Sequence, residues 1–134
     1  MKFKNKIYFF LFIGVLSFLV DKYLYLCEKE QDIGINLLHI IHHFLSNYLF
    51  FGSLIFGYYK YHLFLVGVVV LHWLLNDDKC FITVLYNKNC NFDTDTRHRD
   101  IAYHIQELVN VNMYAMLFII VLYDIYMIFK KQTR

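Results

Sequence analysis

The sequence predicts an all-α membrane protein with four transmembrane helices and a short amphipathic helix in the long third loop. Hydrophobic residues make up 59% of the chain and aromatic residues 20%, whereas soluble domains are about 45 to 50% apolar. Four apolar runs are also long enough to cross a hydrocarbon core of about 30 Å, which takes about 20 helical residues. At 134 residues, the chain is expected to form one transmembrane domain, 1–134.

The first predicted span covers residues 7–26 and follows the basic stretch MKFKNK. A basic start before an apolar run is typical of a secretory signal peptide. Here the apolar run continues to Asp21, and no small-residue cleavage site follows it. We therefore expect a retained signal-anchor helix.

The second and third predicted spans, 35–58 and 61–86, form an antiparallel hairpin that turns at Lys60, and the last span covers 111–129. The loop before the last span contains an amphipathic segment at about 97–110. Its apolar positions Ile101, Ile105 and Leu108 recur at helical spacing. Asp95 or Thr96 is the expected N-cap.

Basic residues are distributed unevenly along the chain and predict its orientation. One side of the four spans collects seven bases and no acid: Lys2, Lys4, Lys6, Lys60, Lys130, Lys131 and Arg134. The other side collects six bases against ten acids. Because bases near span ends stay cytosolic, both termini are predicted to be cytosolic, and the acidic loops lumenal or exterior.

The second span carries the motif HIIHH, in which His39 and His43 share one helix face and His42 points roughly 60° away. The third span carries a second polar stripe, which consists of His72, Asn76, Cys80 and Thr83. In a hairpin that turns at Lys60, His43 lies level with Asp77, and His39 lies beside Cys80. The histidines are therefore predicted to cluster near the non-cytosolic end of the hairpin.

Three interpretations of this histidine cluster remain open. In the first, the imidazoles bond one another, Asn76, Asp77 or water and hold the hairpin in register, with no cofactor. The second is a transition-metal site, because histidines at i and i+4 are a common ligand pair; its expected ligands are His39, His43, Asp77 and Cys80. The third is a proton or cation path; its expected residues are His39, His43, His72, Asp77 and Asp124.

Cysteines and one intramembrane acid provide the remaining candidates. Cys27, Cys80 and Cys90 all lie on the predicted non-cytosolic side, where disulfides form. Cys80 and Cys90 would close a short loop and are the candidate disulfide. Asp124 lies deep in the last span, and its expected partner is Lys6, Lys130 or a tyrosine hydroxyl such as that of Tyr8.

The segment HWLLNDDKCFITVLYNKN, together with four spans and a bias toward Asn, Lys, Ile and Tyr, resembles small multi-pass membrane proteins of giant DNA viruses. The residues that suggest the resemblance are Trp73, Asn76, Lys79, Cys80 and Thr83. The resemblance implies a viral membrane context and no particular chemistry.

Taken together, these features favour a non-catalytic structural or assembly role in a membrane. The expected partners are the lipid bilayer and further copies of the chain or other membrane proteins. The alternatives are a proton or cation conductor and a metal-binding or redox membrane protein built on the histidines. Nucleic-acid binding is not expected, because the basic residues are few and lie close to the span ends.

Overall fold

The computed structural model describes residues 2–24, 27, 33–93 and 99–133. These residues form six α-helices and no strand, which confirms the predicted all-helical class. The helices are α1 (Phe3–Leu24), α2 (Ile33–Phe56), α3 (Tyr59–Leu75), α4 (Phe81–Cys90), α5 (Ile101–Val109) and α6 (Met113–Gln132).

Helix α2 is the central element, because it packs against every other helix. The long helix α1 lies along one side of α2, while α3 pairs with α6. The main hydrophobic core lies between α2, α3 and α6, and α5 contributes Ala102. Its buried members are Leu49, Phe50, Val66, Trp73, Ala102 and Leu117. The short helices α4 and α5 both pack on α2.

Two of the described helices, α1 and α6, are long and apolar enough to cross a membrane. Both direct large apolar side chains outward: Phe12 of α1 is 65% exposed and Phe118 of α6 is 62% exposed. Helix α3 is apolar but has only 17 residues, and α2 carries the histidines on its buried face. The predicted arrangement of four spans therefore remains a prediction.

The predicted third span, 61–86, is wrong as a continuous helix. Helix α3 ends at Leu75, and a turn then separates it from α4. Asp77 and Asp78 both adopt positive φ angles, of 51° and 59°, and the side-chain amide of Asn76 donates to the carbonyl of Lys79 at 2.7 Å. Asn and Asp tolerate this left-handed conformation and favour turns over helix interiors. The predicted polar stripe is therefore divided between two elements.

The α2–α3 turn also differs from its prediction. It lies at Gly57 and Tyr58 rather than at Lys60, since α2 ends at Phe56 and α3 begins at Tyr59. Gly57 has a φ of 76°, a conformation that costs glycine little because it has no Cβ. Lys60 is consequently an exposed residue in the first turn of α3.

The predicted amphipathic helix is present as α5, but its N-cap is Asp100 rather than Asp95 or Thr96. The Asp100 carboxylate accepts a hydrogen bond from the Tyr103 amide at 2.7 Å. This bond satisfies one of the amides that a helix start leaves without an intrahelical partner. Residues 94–98, including both predicted caps, lie outside the described part of the chain.

Helices α1 and α2 approach each other closely at Gly14. A Cβ at this position would lie 2.4 Å from the Phe44 ring, so only glycine fits without displacing the ring. Phe10, one turn earlier, packs edge-on against Phe44 and Tyr48. This aromatic contact fixes how α1 lies against α2 and therefore which residues of its last turn face the histidines.

The disulfide joins Cys27 to Cys90, so the predicted pairing of Cys80 with Cys90 is wrong. The bond links the segment after α1 to the end of α4, with a Cα–Cα distance of 5.2 Å. Both cysteines are buried in a small cluster with Ile35 and Tyr86. Cys80, at the start of α4, is a partly exposed free thiol. Cys90 lies ten positions further along the chain, at the end of α4, about 15 Å away along the helix axis.

We predict that reducing this disulfide strongly destabilises the protein. The two cysteines are 63 residues apart in sequence. Closing a loop of that length lowers the entropy of the unfolded chain and so stabilises the folded state by about 4 kcal/mol. Thermal unfolding in detergent should therefore occur at a lower temperature for Cys90→Ser than for the parent protein. Cys80→Ser, which keeps the disulfide, is the control. An equal loss in both variants would contradict the assignment.

Candidate functional site

Three buried side chains from α1 and α2 meet near one end of the bundle. His39 and His43 lie one helical turn apart on α2, so both rings project from the same face. Asp21 lies in the last turn of α1, which packs along that face. All three side chains are buried, with exposures of 0%, 0% and 2% respectively. We call Asp21, His39 and His43 the Asp–His–His group.

A single carboxylate oxygen contacts both imidazoles of this group. Oδ2 of Asp21 lies 2.9 Å from Nε2 of His39 and 3.1 Å from Nε2 of His43. The three ligand atoms, one from each residue, all lie within 4.8 Å of one another. Carboxylate oxygen and imidazole nitrogen are ordinary ligands of transition-metal dications. The group can therefore hold one such ion.

Neighbouring groups orient these three side chains. The backbone amide of Arg99 donates to the other carboxylate oxygen of Asp21, Oδ1, at 3.1 Å. The hydroxyl oxygen of Ser17 lies 2.8 Å from Nδ1 of His43 and accepts a hydrogen bond from the Ile101 amide at 3.1 Å. Such outer partners fix the orientation of ligand side chains in metal sites. Arg99 and Ile101, at the start of α5, thus lie against the group.

Aromatic rings form the walls around the imidazoles. The Phe18 ring packs edge-on against His39 and His43, with centroids 5.0 Å and 6.0 Å apart. Tyr86 of α4 also packs against the His39 ring, with centroids 4.6 Å apart. Tyr86 itself is buried, at 2% exposure. Rings in such contact have little rotational freedom, so the Nε2 atoms are held toward Asp21.

A second cluster lies beside the Asp–His–His group and contains His42, Cys80 and Asp100. Nδ1 of His42 lies 3.8 Å from the Cys80 sulfur, and Nε2 lies 3.6 Å from Oδ2 of Asp100. The Ser46 hydroxyl donates to the same carboxylate oxygen. A thiol, an imidazole and a carboxylate in this order form the arrangement that activates nucleophilic cysteines. We call these three residues the thiol cluster.

The electrostatics of the thiol cluster favour a charged thiol and a charged carboxylate. Burial acts to raise the pKa of the Cys80 thiol, but the hydrogen bond and charge of His42, with the Thr83 and Ile82 amides, lower that pKa from 9.0 to about 7. Burial likewise opposes ionisation of Asp100, but the contact with His42 holds its pKa below the ordinary value.

A third polar cluster, a buried pair of side chains, joins α3 to α6 at the opposite end of the bundle. Nδ1 of His62 lies 2.6 Å from Oδ2 of Asp124, and both side chains are 0% exposed. Nε2 of His62 lies 3.0 Å from the Leu49 carbonyl of α2, to which it donates. One proton therefore lies between His62 and Asp124 whichever of the two carries it. This partner replaces the predicted Lys6, Lys130 and Tyr8.

The structure brings together only part of each predicted site. His39 and His43 adjoin as predicted, but Asp77 is exposed in the turn after α3, and Cys80 contacts His42 instead. His72 accepts a hydrogen bond from the Phe81 amide at 3.0 Å, which satisfies the first turn of α4. Asp124 lies with His62 rather than with the other predicted path residues.

Sequence reasoning missed Asp21, Asp100 and His62 as functional residues. Asp21 offered a signal, since it is an acid in the last turn of an apolar span on the same side as the histidines. Asp100 offered a weaker one, as a helix-capping residue before an amphipathic run. His62 offered none, because it follows the lysine of the turn and reads as an interfacial residue.

No protein-family model, curated protein or solved structure matches this chain. The chemistry of the three polar clusters is therefore the basis for assigning a function.

We predict that His62 and Asp124 are strongly coupled in stability. Removing one partner of a buried hydrogen bond leaves the other group unsatisfied and costs about 1 to 3 kcal/mol, or more where that group is charged. His62→Ala and Asp124→Ala should each lower the unfolding temperature in detergent sharply, and the double variant should lose much less than the sum. Asp124→Asn, which retains an amide of similar shape, should be milder than Asp124→Ala. Additive losses would contradict the contact.

We also predict that Cys80 reacts with iodoacetamide at neutral pH. The thiolate is the reactive form, so the alkylation rate should rise through a midpoint near pH 7, the pKa of Cys80. His42→Gln should shift that midpoint upward and slow alkylation at pH 7 by about five- to tenfold, because a more basic thiolate is scarcer but more nucleophilic. His104→Gln is the matched control. A midpoint unchanged by His42→Gln would contradict the activation.

Proposed function

We propose that this chain is an integral membrane protein that binds one transition-metal dication between its first two long helices. The ligands are Oδ2 of Asp21 and the Nε2 atoms of His39 and His43. The observation that carries the proposal is the convergence of these three buried ligand atoms from two helices. This is the metal-binding alternative of the sequence, with Asp21 in place of Asp77 and Cys80.

The spacing of the ligand atoms supports a metal of the size of zinc. Tetrahedral zinc has bonds of about 2.0 to 2.1 Å to nitrogen and oxygen, which places neighbouring ligand atoms a little over 3 Å apart. The distances from Asp21 to the two imidazoles, 2.9 Å and 3.1 Å, are only slightly shorter. The three ligand atoms lie within 4.8 Å of one another, so the two imidazoles would turn toward each other to bind the ion.

The hydrogen-bond pattern supports the same assignment. Asp21 directs Oδ1 to the Arg99 amide and leaves Oδ2 for the imidazoles. Ser17 contacts Nδ1 of His43, so Nε2 is the nitrogen presented to the carboxylate. Metal binding requires unprotonated Nε2 atoms and releases their protons. The negative charge of the Asp21 carboxylate also offsets part of the positive charge of a buried dication, which lowers the cost of burying that ion.

The membrane placement belongs to the same proposal. Helix α1 supplies Asp21 from its last turn and presents apolar side chains along its outer face. We propose that α1, α2, α3 and α6 span the bilayer with both termini cytosolic, as the charge distribution predicts. The ion then lies at the non-cytosolic rim, beneath α4 and the segment before α5. A metal can reach such a site from water without crossing the hydrocarbon.

The test is metal content and metal-dependent stability of the protein purified in detergent. We expect one zinc or cobalt ion per chain after loading and dialysis. Free metal at a hundredfold excess over Kd should stabilise the folded state by about 2.7 kcal/mol. Affinity should fall as the pH drops through the range in which imidazoles protonate, because protons compete for Nε2.

Three substitutions and one control identify the ligands. His39→Ala, His43→Ala and Asp21→Asn should each remove stoichiometric metal, whereas His72→Gln, which keeps an acceptor for the Phe81 amide, should retain it. Folding of each variant is checked by the Cys27–Cys90 disulfide on a non-reducing gel. Parent protein that folds and binds no metal overturns the proposal, and the Asp–His–His group is then a hydrogen-bonded joint between α1 and α2.

A further inference from the structure

An open cleft of about 270 Å³ lies at the end of the bundle opposite the Asp–His–His group, between the α2–α3 turn and the last turn of α6. Its lining includes Tyr58, Tyr59, Tyr61 and Ile128, together with Lys60 and Lys131. Tyrosine rings and the aliphatic stems of the lysines give the cleft a largely apolar lining. Both lysines are exposed residues.

Lysines at this end of the bundle stack over tyrosine rings. Nζ of Lys131 lies 4.7 Å from the centroid of the Tyr59 ring, which lines the cleft. Nζ of Lys130, the preceding residue and not part of the lining, lies 5.5 Å from the centroid of the Tyr126 ring. Such contacts keep an ammonium beside an apolar surface rather than in open water. The cleft therefore holds positive charge next to apolar atoms.

Other basic residues surround the same end of the molecule. The Phe3 ring contacts Phe56 at the end of α2 with centroids 6.4 Å apart, which brings the lysines of the first turns of α1 to this rim. The nearest acid on α6, Asp124, is fully buried against His62 and does not offset the lysines at the surface. The charge of the rim is thus complementary to an anion.

We propose that this cleft binds an anionic phospholipid, with Lys60 and Lys131 on its phosphate and the tyrosine rings and Ile128 on its glycerol and upper acyl chains. The inference rests on the membrane placement of the proposed function and not on metal binding. Tyrosine and lysine are the residues that membrane proteins place at the headgroup level, and anionic lipids attract lysines there. An isolated phosphate would leave the apolar lining of the cleft exposed.

Native mass spectrometry of the protein released from mixed micelles tests the site, with phosphatidylglycerol and phosphatidylcholine of identical acyl chains as probes. We expect one retained phosphatidylglycerol per chain and little phosphatidylcholine. A lysine near an anionic headgroup contributes about fivefold in affinity, so Lys60→Gln and Lys131→Gln should each weaken retention about fivefold, and the double variant by about 25-fold. Lys130→Gln is the matched control because it removes the same charge from the adjacent residue.

Each other outcome overturns the proposal. Equal retention of the two lipids would mean an apolar groove without headgroup recognition. Equal loss in Lys130→Gln and Lys131→Gln would mean diffuse attraction along the rim rather than a site. Displacement of the lipid by millimolar inorganic phosphate would mean a free phosphate site. Since Lys60 and Lys131 are remote from Asp21, metal content measured on the same samples shows separately whether the metal proposal holds.

Discussion

The contact between the Asp21 carboxylate and the imidazoles of His39 and His43 is the constraint on which the rest of the structure depends. Helix α2 packs against every other described helix, and it can bury two imidazoles only where a partner satisfies them. Asp21 supplies that partner from α1. Its second oxygen then accepts a hydrogen bond from the Arg99 amide, so the same carboxylate also positions Arg99, two residues before α5.

Buried polarity is divided between the two ends of the molecule. The Asp–His–His group and the thiol cluster lie under α4 and α5, while His62 and Asp124 join α3 to α6 at the other end. The region between them holds aromatic packing, as the contacts of Phe10 with Phe44 and Tyr48 show, together with the buried side chain of Asn47. The proposed metal site and the proposed lipid site therefore lie at opposite ends of the bundle and use unrelated chemistry.

Helical class and helix faces were predictable from the sequence, because hydrophobic length and 3.6-residue spacing are local properties. The shared face of His39 and His43 follows from that spacing alone. Which helix lies opposite that face is not local, so the role of Asp21 was missed and Asp77 was chosen instead. The disulfide prediction was wrong for the same reason, since short spacing in sequence favoured Cys80 over the distant Cys27 as the partner of Cys90. The end of α3 was missed because apolar residues resume directly after a short turn.

The pair formed by His62 and Asp124 also has a consequence for biogenesis. The two residues are separated by 62 positions, so a ribosome that has just delivered α3 has yet to make the partner of its imidazole. An acid in the middle of a spanning segment is costly in lipid by itself. In the proposed membrane placement, helix α6 would therefore enter the bilayer most favourably alongside α3, after the earlier helices have already been made.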